Sequence, residues 1–215
     1  MSRAWTLRSR RCTSGRWAVQ GAGKANGGAA VVGYDYDDLH SWSYRGIVVD
    51  SDHAVAAAHA PAVVWECPQL VRVDGIWVLI VSPVLSHSPQ ASGRVAWLAG
   101  DLRADSGTLT FEPATGGLLD VGPAFYAPQA LVVVDRVLLW GWCLEDGRTP
   151  EEADAAGWAG VLSFPRVLAM VDGALVSSPV PELDGPPPGE ALPGTSAAQP
   201  DGHRGAGVRG SAGGS

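Results

Sequence analysis

The sequence predicts an all-β fold, a partial β-propeller of about three four-stranded antiparallel blades. Short runs rich in Val, Leu, Ile and Trp alternate with turns of Gly, Asp and Ser, as in strands joined by tight turns. Units of one turn and one strand also recur about every sixty residues, beginning at Gly15, Gly75 and Asp135. Four-stranded antiparallel units that repeat at this period are typical of propeller blades.

The remaining elements follow the same order in each repeat. A third strand, a polar turn and a fourth strand are predicted at residues 29–34 with 37–42, 94–101 with 106–111, and 159–165 with 172–176. A preceding strand is predicted at 63–73 for the second repeat and at 125–134 for the third. Two short segments, 53–59 and 149–156, are predicted to be helical.

The chain divides into three parts. Residues 1–14 are predicted to be an irregular lead-in, residues 15–183 a partial propeller domain, and residues 184–215, rich in Gly, Pro and Ala, a disordered tail. Propellers usually need at least about four blades to close around their axis, so the predicted blades leave two open sheet edges. Open edges favour self-association or pairing with another chain.

Composition narrows the choice of partners. The 215 residues carry a formal net charge of -7, which gives no electrostatic basis for binding nucleic acid or an anionic membrane. Nine tryptophans suit the stacking of sugar rings, so a neutral small molecule is the favoured ligand. The cysteines are widely spaced, and the sequence shows neither a signal peptide nor a membrane-spanning run, so we expect reduced thiols and a cytoplasmic location.

No cofactor motif stands out in the sequence. The segment 21–24 lacks the flanking residues that a phosphate-binding loop needs. The five histidines fall in no metal-ligand spacing. We therefore expect neither a metal nor an organic cofactor.

The candidate catalytic residue is Glu66, because its carboxyl group lies inside an apolar stretch. The apolar runs 62–64 and 70–73 flank it, with Trp65 directly before it and Cys67 directly after it. A carboxyl group between apolar side chains on a strand is expected to resist ionisation and to hold a proton near neutral pH, as a general acid must. The alternative is a glutamate that points to solvent from an edge strand.

Three segments occur in an order that resembles a known family. The segment Trp65-Glu66-Cys67-Pro68 is followed by residues 119–129, which read LDVGPAFYAPQ, and then by 157–160 (GWAG) and 163–166 (SFPR). Residues 34–42 add a strand end of the form Asp-Leu-x-x-Trp. Over residues 15–183 this combination resembles glycoside hydrolase family 32, the invertase, levanase and inulinase family. The family's glutamate-cysteine, phenylalanine-tyrosine-alanine and proline-arginine motifs match in order and spacing.

The resemblance implies a five-bladed β-propeller that hydrolyses β-fructofuranosides, either sucrose or fructans, with retention of configuration. In that family a glutamate is the acid/base, an aspartate is the nucleophile and a second aspartate stabilises the transition state. Glu66 matches the acid/base. By the same resemblance, the residues expected to bind substrate are Trp65, Cys67, Asp120, Tyr126 and Trp158. Ala124 departs from the acidic residue often found in its motif.

Two of the family's three catalytic carboxylates have no match in this sequence. The tryptophan-x-asparagine-aspartate-proline-asparagine segment that carries the nucleophile is absent, and residues 9–13 stand where the arginine-aspartate-proline motif belongs. The sequence therefore predicts an N-terminally truncated fragment of the catalytic propeller that is inactive alone. The alternatives are a non-catalytic sugar-binding or interaction module and, third, an unrelated propeller used for protein contacts.

Overall fold

Three antiparallel sheets make up the chain in the computed structural model, which describes residues 5–7, 16–86, 92–105, 107–145 and 147–185. Within these ranges the helices are α1 (Ala54–His59), α2 (Pro150–Ala156) and one short 3-10 helix, Pro181–Asp184. The all-β fold and both helical segments predicted from the sequence are therefore confirmed. No helix in these ranges is long and apolar enough to cross a membrane. The tail predicted for residues 184–215 lies outside the described residues beyond position 185.

The first sheet contains β1 (Trp5–Leu7), β2 (Arg16–Gly23), β3 (Ala29–Tyr36) and β4 (Trp42–Asp50), hydrogen-bonded in that order. Strand β1 differs from the irregular lead-in predicted for residues 1–14, whose other members lie outside the described residues. It pairs antiparallel with β2 and gives this sheet the preceding strand that the sequence pattern showed for the other two repeats. A run of three residues is too short to display a period of two, so the pattern could not reveal it.

The second sheet is a meander of β5 (Val64–Val73), β6 (Ile76–Val84), β7 (Ala96–Asp105) and β8 (Thr108–Leu118). Its first hairpin closes at Asp74 and Gly75, whose φ angles are 48° and 85°. Two-residue hairpin turns that match the strand twist need positive φ at both positions, and Asp-Gly is a preferred sequence for them. The turn therefore fixes the register of β5 against β6.

The third sheet contains β9 (Phe125–Val133), β10 (Arg136–Cys143), β11 (Val161–Leu162), β12 (Arg166–Val171) and β13 (Ala174–Pro179). Strand β10 pairs with β9 on one side and with both β11 and β12 on the other. Of the third strand predicted at 159–165, only Val161 and Leu162 form a strand. The longer strand β12 begins just after Pro165, which has no N–H to donate to a ladder. Strands β2, β6 and β10 begin at Arg16, Ile76 and Arg136, which confirms the repeat of about sixty residues.

Two apolar clusters join the three sheets, and the second sheet lies between them. One cluster joins the first and second sheets and includes Trp17 and Phe111. The other joins the second and third sheets and includes Trp97 and Leu139. We call these contacts the first junction and the second junction. Strand β1 contacts β5, and β5 contacts β9, so the leading strands of the sheets are neighbours.

The first and third sheets also carry exposed apolar side chains. Tyr44 and Ile47 on β4 are 59% and 44% exposed, and Leu162 and Phe164 near β11 are each 74% exposed. A propeller blade packs against a neighbour on both sides, as the second sheet does here. The first and third sheets each share an apolar cluster with one neighbour, whereas the second sheet shares one with both.

Candidate active site

Glu66 lies on β5 directly before a β-bulge. It pairs with Ser82 of β6, and the register then shifts, so that Cys67 and Pro68 form the bulge. Cys67 has a φ angle of 47°, a left-handed conformation that costs a non-glycine residue about 1–3 kcal/mol. Bulges are over-represented next to active sites, where they re-aim a side chain.

The same local structure recurs in the third sheet at Tyr126, which lies 60 residues after Glu66. The register of β9 against β10 shifts just after Tyr126, which leaves Ala127 and Pro128 in a bulge. Ala127 has a φ angle of 46°, close to that of Cys67. Tyr126 thus occupies in the third sheet the position that Glu66 occupies in the second.

The two equivalent side chains meet across the second junction. The Tyr126 hydroxyl donates a hydrogen bond to Oε2 of Glu66 at 2.7 Å. Tyr126 is only 9% exposed, and burial together with the hydrogen bond to Glu66 raises the pKa of its phenol well above the ordinary value. The phenol therefore stays protonated and acts as a donor to the carboxylate.

Cys67 lies half-buried beside this pair. Burial, and to a smaller extent the charge of Glu66, raises the pKa of the Cys67 thiol. A neutral thiol places no second negative charge next to the carboxyl group. Its part in substrate binding stays a prediction.

Two buried polar side chains of the second sheet, one on β5 and one on β6, hold β9 against that sheet. Gln69 is 3% exposed; its Oε1 accepts from the backbone N–H of Ala130 at 3.1 Å, and its Nε2 donates to the two carbonyl oxygens of the bulge. Ser82 has no exposed surface, and its Oγ accepts from the backbone N–H of Ala127 at 3.2 Å. Sequence reasoning missed both residues. In the sequence, the feature that could have identified them is a polar residue within an otherwise apolar strand.

Asp120 precedes β9 and is tied to the third sheet. Its Oδ1 accepts from the backbone N–H of Gly122 at 2.7 Å, and its Oδ2 accepts from the guanidinium of Arg166 on β12. That guanidinium also lies 4.4 Å from the centre of the Phe125 ring. Asp120 and Arg166 therefore anchor the start of the strand that carries Tyr126. Direct contact of Asp120 with a sugar stays a prediction.

Trp65 and Glu66 point to opposite faces of β5, which corrects two expectations. Trp65 has no exposed surface, and its indole N–H donates to the carbonyl oxygen of Ala60 at 2.9 Å, so it is a core residue without a face for substrate. Glu66 is exposed, and the apolar neighbours do not enclose it. Successive residues of a strand alternate between faces, so the apolar flanks seen in the sequence lie behind the carboxyl group.

Trp158 belongs to a separate cluster that follows α2. It is 51% exposed, and the guanidinium of Arg148 lies 4.1 Å from the centre of its ring. Arg148 is paired with Glu145, which also accepts from the backbone N–H of Gly160. The contacts described for Trp158 do not bring it to Glu66, and its stacking on a sugar stays a prediction.

Trp142 is an aromatic residue that sequence reasoning did not single out. It is 41% exposed and pairs with Tyr126 across β9 and β10. Directly paired residues of antiparallel strands present their side chains on the same face. Gly160 lies against this indole, where a Cβ would overlap it. An exposed, sterically fixed indole therefore lies beside the tyrosine that holds Glu66.

The arrangement can transfer a proton. One oxygen of the Glu66 carboxyl group accepts from a neutral phenol, and the exposed position of the side chain gives a ligand access to it. Among the residues that the structure describes, no three His, Cys, Asp or Glu side chains are grouped to hold a metal ion.

The sequence is similar to one enzyme family along most of its length. A family model described as the glycosyl hydrolases family 32 N-terminal domain matches residues 10–179. The sucrose-6-phosphate hydrolase of Vibrio alginolyticus is 34% identical over 163 residues, 70% of this chain and 31% of that protein. The raffinose invertase of Escherichia coli is 31% identical over 180 residues, 78% of this chain and 34% of that protein. The chain spans about a third of the length of these curated relatives.

Solved structures share the fold. A family 32 β-fructofuranosidase of Bombyx mori superposes with a TM-score of 0.67 at 23% identity, covering 84% of this chain and 37% of that one. The sucrose-6-phosphate hydrolase of Lactobacillus gasseri gives a TM-score of 0.65 at 23% identity, covering 84% and 36%. The three sheets therefore form part of a β-propeller of this type.

Proposed function

The chain belongs to glycosyl hydrolase family 32, and from this premise we propose that it carries the general acid of a β-fructofuranosidase-type site. The observation that carries the proposal is the hydrogen bond from Tyr126 to Glu66, because it joins the family's glutamate-cysteine and tyrosine-alanine motifs across one junction. Glu66 is the acid/base, and Tyr126 holds one of its oxygens. The other oxygen faces the leaving group.

In the proposed reaction Glu66 protonates the glycosidic oxygen as the bond to the fructosyl carbon breaks. A retaining glycosidase needs a second carboxylate about 5–5.5 Å away as nucleophile. Asp120 is unsuited to that role, since both of its oxygens are occupied by Gly122 and Arg166. No segment of this sequence matches the family's nucleophile motif, so the proposal for this chain is confined to the acid.

The proposed substrate is a sucrose-type β-fructofuranoside. Relatives named for sucrose 6-phosphate and raffinose support this class, since each name refers to a sugar with a sucrose unit. The exposed indole of Trp142 offers a flat apolar surface against which a sugar ring can stack. Fructans remain the wider alternative within the same chemistry. A cytoplasmic location is proposed with it, and the free thiols of Cys67 and Cys143 support that location.

The test of the enzyme function is a chimera in which residues 16–180 replace the matching segment of the Escherichia coli raffinose invertase. We expect fructose release from sucrose, with a loss of about 10²–10⁴-fold in kcat for Glu66→Gln. Glu112→Gln is the matched control, because this glutamate lies on β8 and its side chain is 58% exposed. An active chimera that tolerates Glu66→Gln would refute the assignment.

A second candidate is a non-catalytic sugar-binding module, which the exposed indole of Trp142 beside Tyr126 favours. Calorimetry on the 215-residue chain separates the two ideas. Sub-millimolar binding of sucrose or inulin by the chain, combined with a folded but inactive chimera, would favour the binding module. Absence of binding together with an active chimera would remove it.

We also propose that the chain self-associates through its exposed apolar faces. Phe164, which is 74% exposed, lies on such a face. Phe164→Lys is expected to lower the mass measured by light scattering. Val134→Lys is the control, since that side chain is 98% exposed in a hairpin turn. A wild-type chain that is monomeric at all concentrations would contradict the proposal.

A further inference from the structure

The bulge that follows Glu66 is braced by a single side chain. Gln69 is almost fully buried, and its amide group forms hydrogen bonds both within its own strand and to the next sheet. Its Nε2 donates to the carbonyl oxygens of Pro68 at 3.1 Å and of Cys67 at 3.3 Å, within its own strand. Its Oε1 accepts from the backbone N–H of Ala130 at 3.1 Å, in the next sheet. One side chain therefore links the bulge behind Glu66 to the strand of Tyr126.

Ser82 provides a second link of the same kind. It is the cross-strand partner of Glu66 and has no exposed surface. Its Oγ accepts from the N–H of Ala127, the residue that follows Tyr126 and lies where β9 loses its register with β10. A buried N–H without an acceptor is unfavourable, so the hydroxyl satisfies a donor that the bulge frees.

We propose that Gln69 and Ser82 are positioning residues that fix β9 on the second sheet so that the Tyr126 hydroxyl reaches Glu66. Both act on the backbone that follows Tyr126, at Ala127 and Ala130, and neither touches the Glu66 carboxyl group through a described hydrogen bond. The role of Glu66 as an acid rests on the proposed function. The positioning itself rests on geometry alone.

The sequence repeat supplies a matched control for Gln69. Gln69 follows the Cys67-Pro68 bulge, and Gln129 follows the equivalent bulge on β9. The Gln129 Oε1 is buried and has no hydrogen-bond partner among the described residues. Replacing Gln129 therefore removes a similar amide from a similar site without removing a link between sheets.

The experiment follows the Tyr126 ring directly in the full 215-residue chain. The chain has four tyrosines, so ¹³C labelling of the tyrosine ring carbon that bears the hydroxyl gives four signals, and Tyr126→Phe assigns one of them. Because the phenol donates to Glu66, its signal should move in a step when the chain is taken from about pH 3 to about pH 8. Glu66→Gln must abolish most of the step.

Other charged groups near Tyr126 are accounted for by that control. The groups that act on the phenol are Glu66 and Cys67 on β5, and Arg166 with its partner Asp120 lies against the neighbouring Phe125. Any part of the step that survives in Glu66→Gln comes from these other groups and is subtracted.

Gln69→Met is expected to reduce the step at least about twofold, because β9 loses its fixed position on β5. Ser82→Ala should reduce it as well, and this smaller change keeps the chain folded if Gln69→Met does not. Gln129→Met should leave the step unchanged. A full step in Ser82→Ala and in folded Gln69→Met would overturn the proposal, as would an equal reduction in Gln129→Met.

This result is independent of the proposed reaction. If Gln69→Met reduces the step while the chimera keeps its activity in Glu66→Gln, the positioning stands and the acid assignment falls. If Gln69→Met leaves the step unchanged while Glu66→Gln inactivates the chimera, the acid assignment stands and the positioning falls.

Discussion

The two junctions join the same kind of sheet in different ways. At the first junction, backbone approaches backbone: Gly21 of β2 lies against the carbonyl oxygen of Trp65, where a Cβ would overlap it. At the second junction, polar side chains bridge the sheets, with Gln69 and Ser82 accepting from backbone N–H groups of β9. The Trp65 side chain faces the first junction, and Glu66 faces the second.

The difference shows where a propeller can place chemistry. A tightly apposed apolar junction leaves no room for a carboxyl group that must meet a ligand. The second junction has polar bridges and two bulges, so it can aim side chains out of the core and hold them there. Alternation along one strand lets Trp65 close one junction while its neighbour serves the other.

The largest effect is expected from Trp65→Ala, which removes the fully buried indole at the first junction. Loss of a buried aromatic side chain lowers the free energy of unfolding by about 3–5 kcal/mol. Trp158→Ala is the control, since that indole is 51% exposed, and it should cost less than about 1 kcal/mol. Urea denaturation measures both. Equal losses would mean that Trp65 is not the core residue described here.

The second-largest loss of stability is expected from Gly21→Ala. The new methyl group would overlap the carbonyl oxygen of Trp65, so the backbone of β2 or β5 must move, at about 1–3 kcal/mol of stability. Gly23→Ala should cost less, because its Cβ would lie 2.9 Å from the nearest atoms, one of which is a movable Val64 methyl. If Gly21→Ala is neutral in thermal unfolding, the sheets are not as close as described.

At the second junction, Tyr126→Phe should change how stability depends on pH. The folded pKa of Tyr126 is raised above the unfolded value of about 10, so its contribution is complete below about pH 10 and is lost as pH rises towards the folded pKa. The wild type should therefore lose stability above about pH 10 more steeply than Tyr126→Phe, by up to about 1.4 kcal/mol per pH unit. The Cys67 thiol is present in both proteins, so its contribution to the pH dependence cancels in the comparison. Parallel curves would show that Tyr126 is not buried against Glu66.

Sequence reasoning predicted the apolar part of the molecule well. Short apolar runs separated by turns of Gly, Asp and Ser indicated the strands, and the repeat indicated the units, because burial and turn geometry leave local patterns. Glu66 was singled out by its apolar neighbours as well as by a family motif, and Tyr126 by a family motif, yet their hydrogen bond joins residues 60 apart and has no local signature. Gln69 and Ser82 could have been noticed only as polar residues in apolar strands, because their partners on β9 are backbone atoms of another sheet.

The smallest effect is expected from Gln129→Met. Its buried Oε1 has no hydrogen-bond partner in the described part of the chain, so an apolar side chain of similar volume should change stability by no more than about 0.5 kcal/mol. Gln69→Met, at the equivalent position, should cost about 1–3 kcal/mol because it leaves the Ala130 N–H unsatisfied. Chemical denaturation of both variants compares the two sites. A similar loss for both would mean that Gln129 has a partner outside the described residues.

The most direct measurement of the central claim compares two leaving groups in the chimera. A general acid matters for sucrose, whose leaving group needs a proton, and matters little for p-nitrophenyl β-fructofuranoside, whose phenolate leaves without one. We predict that Glu66→Gln lowers kcat/KM, which reports the step that breaks the glycosidic bond, by about 10²–10⁴-fold on sucrose and by less than about tenfold on the nitrophenyl substrate. Equal losses on both substrates would contradict the assignment of Glu66 as the acid held at the second junction.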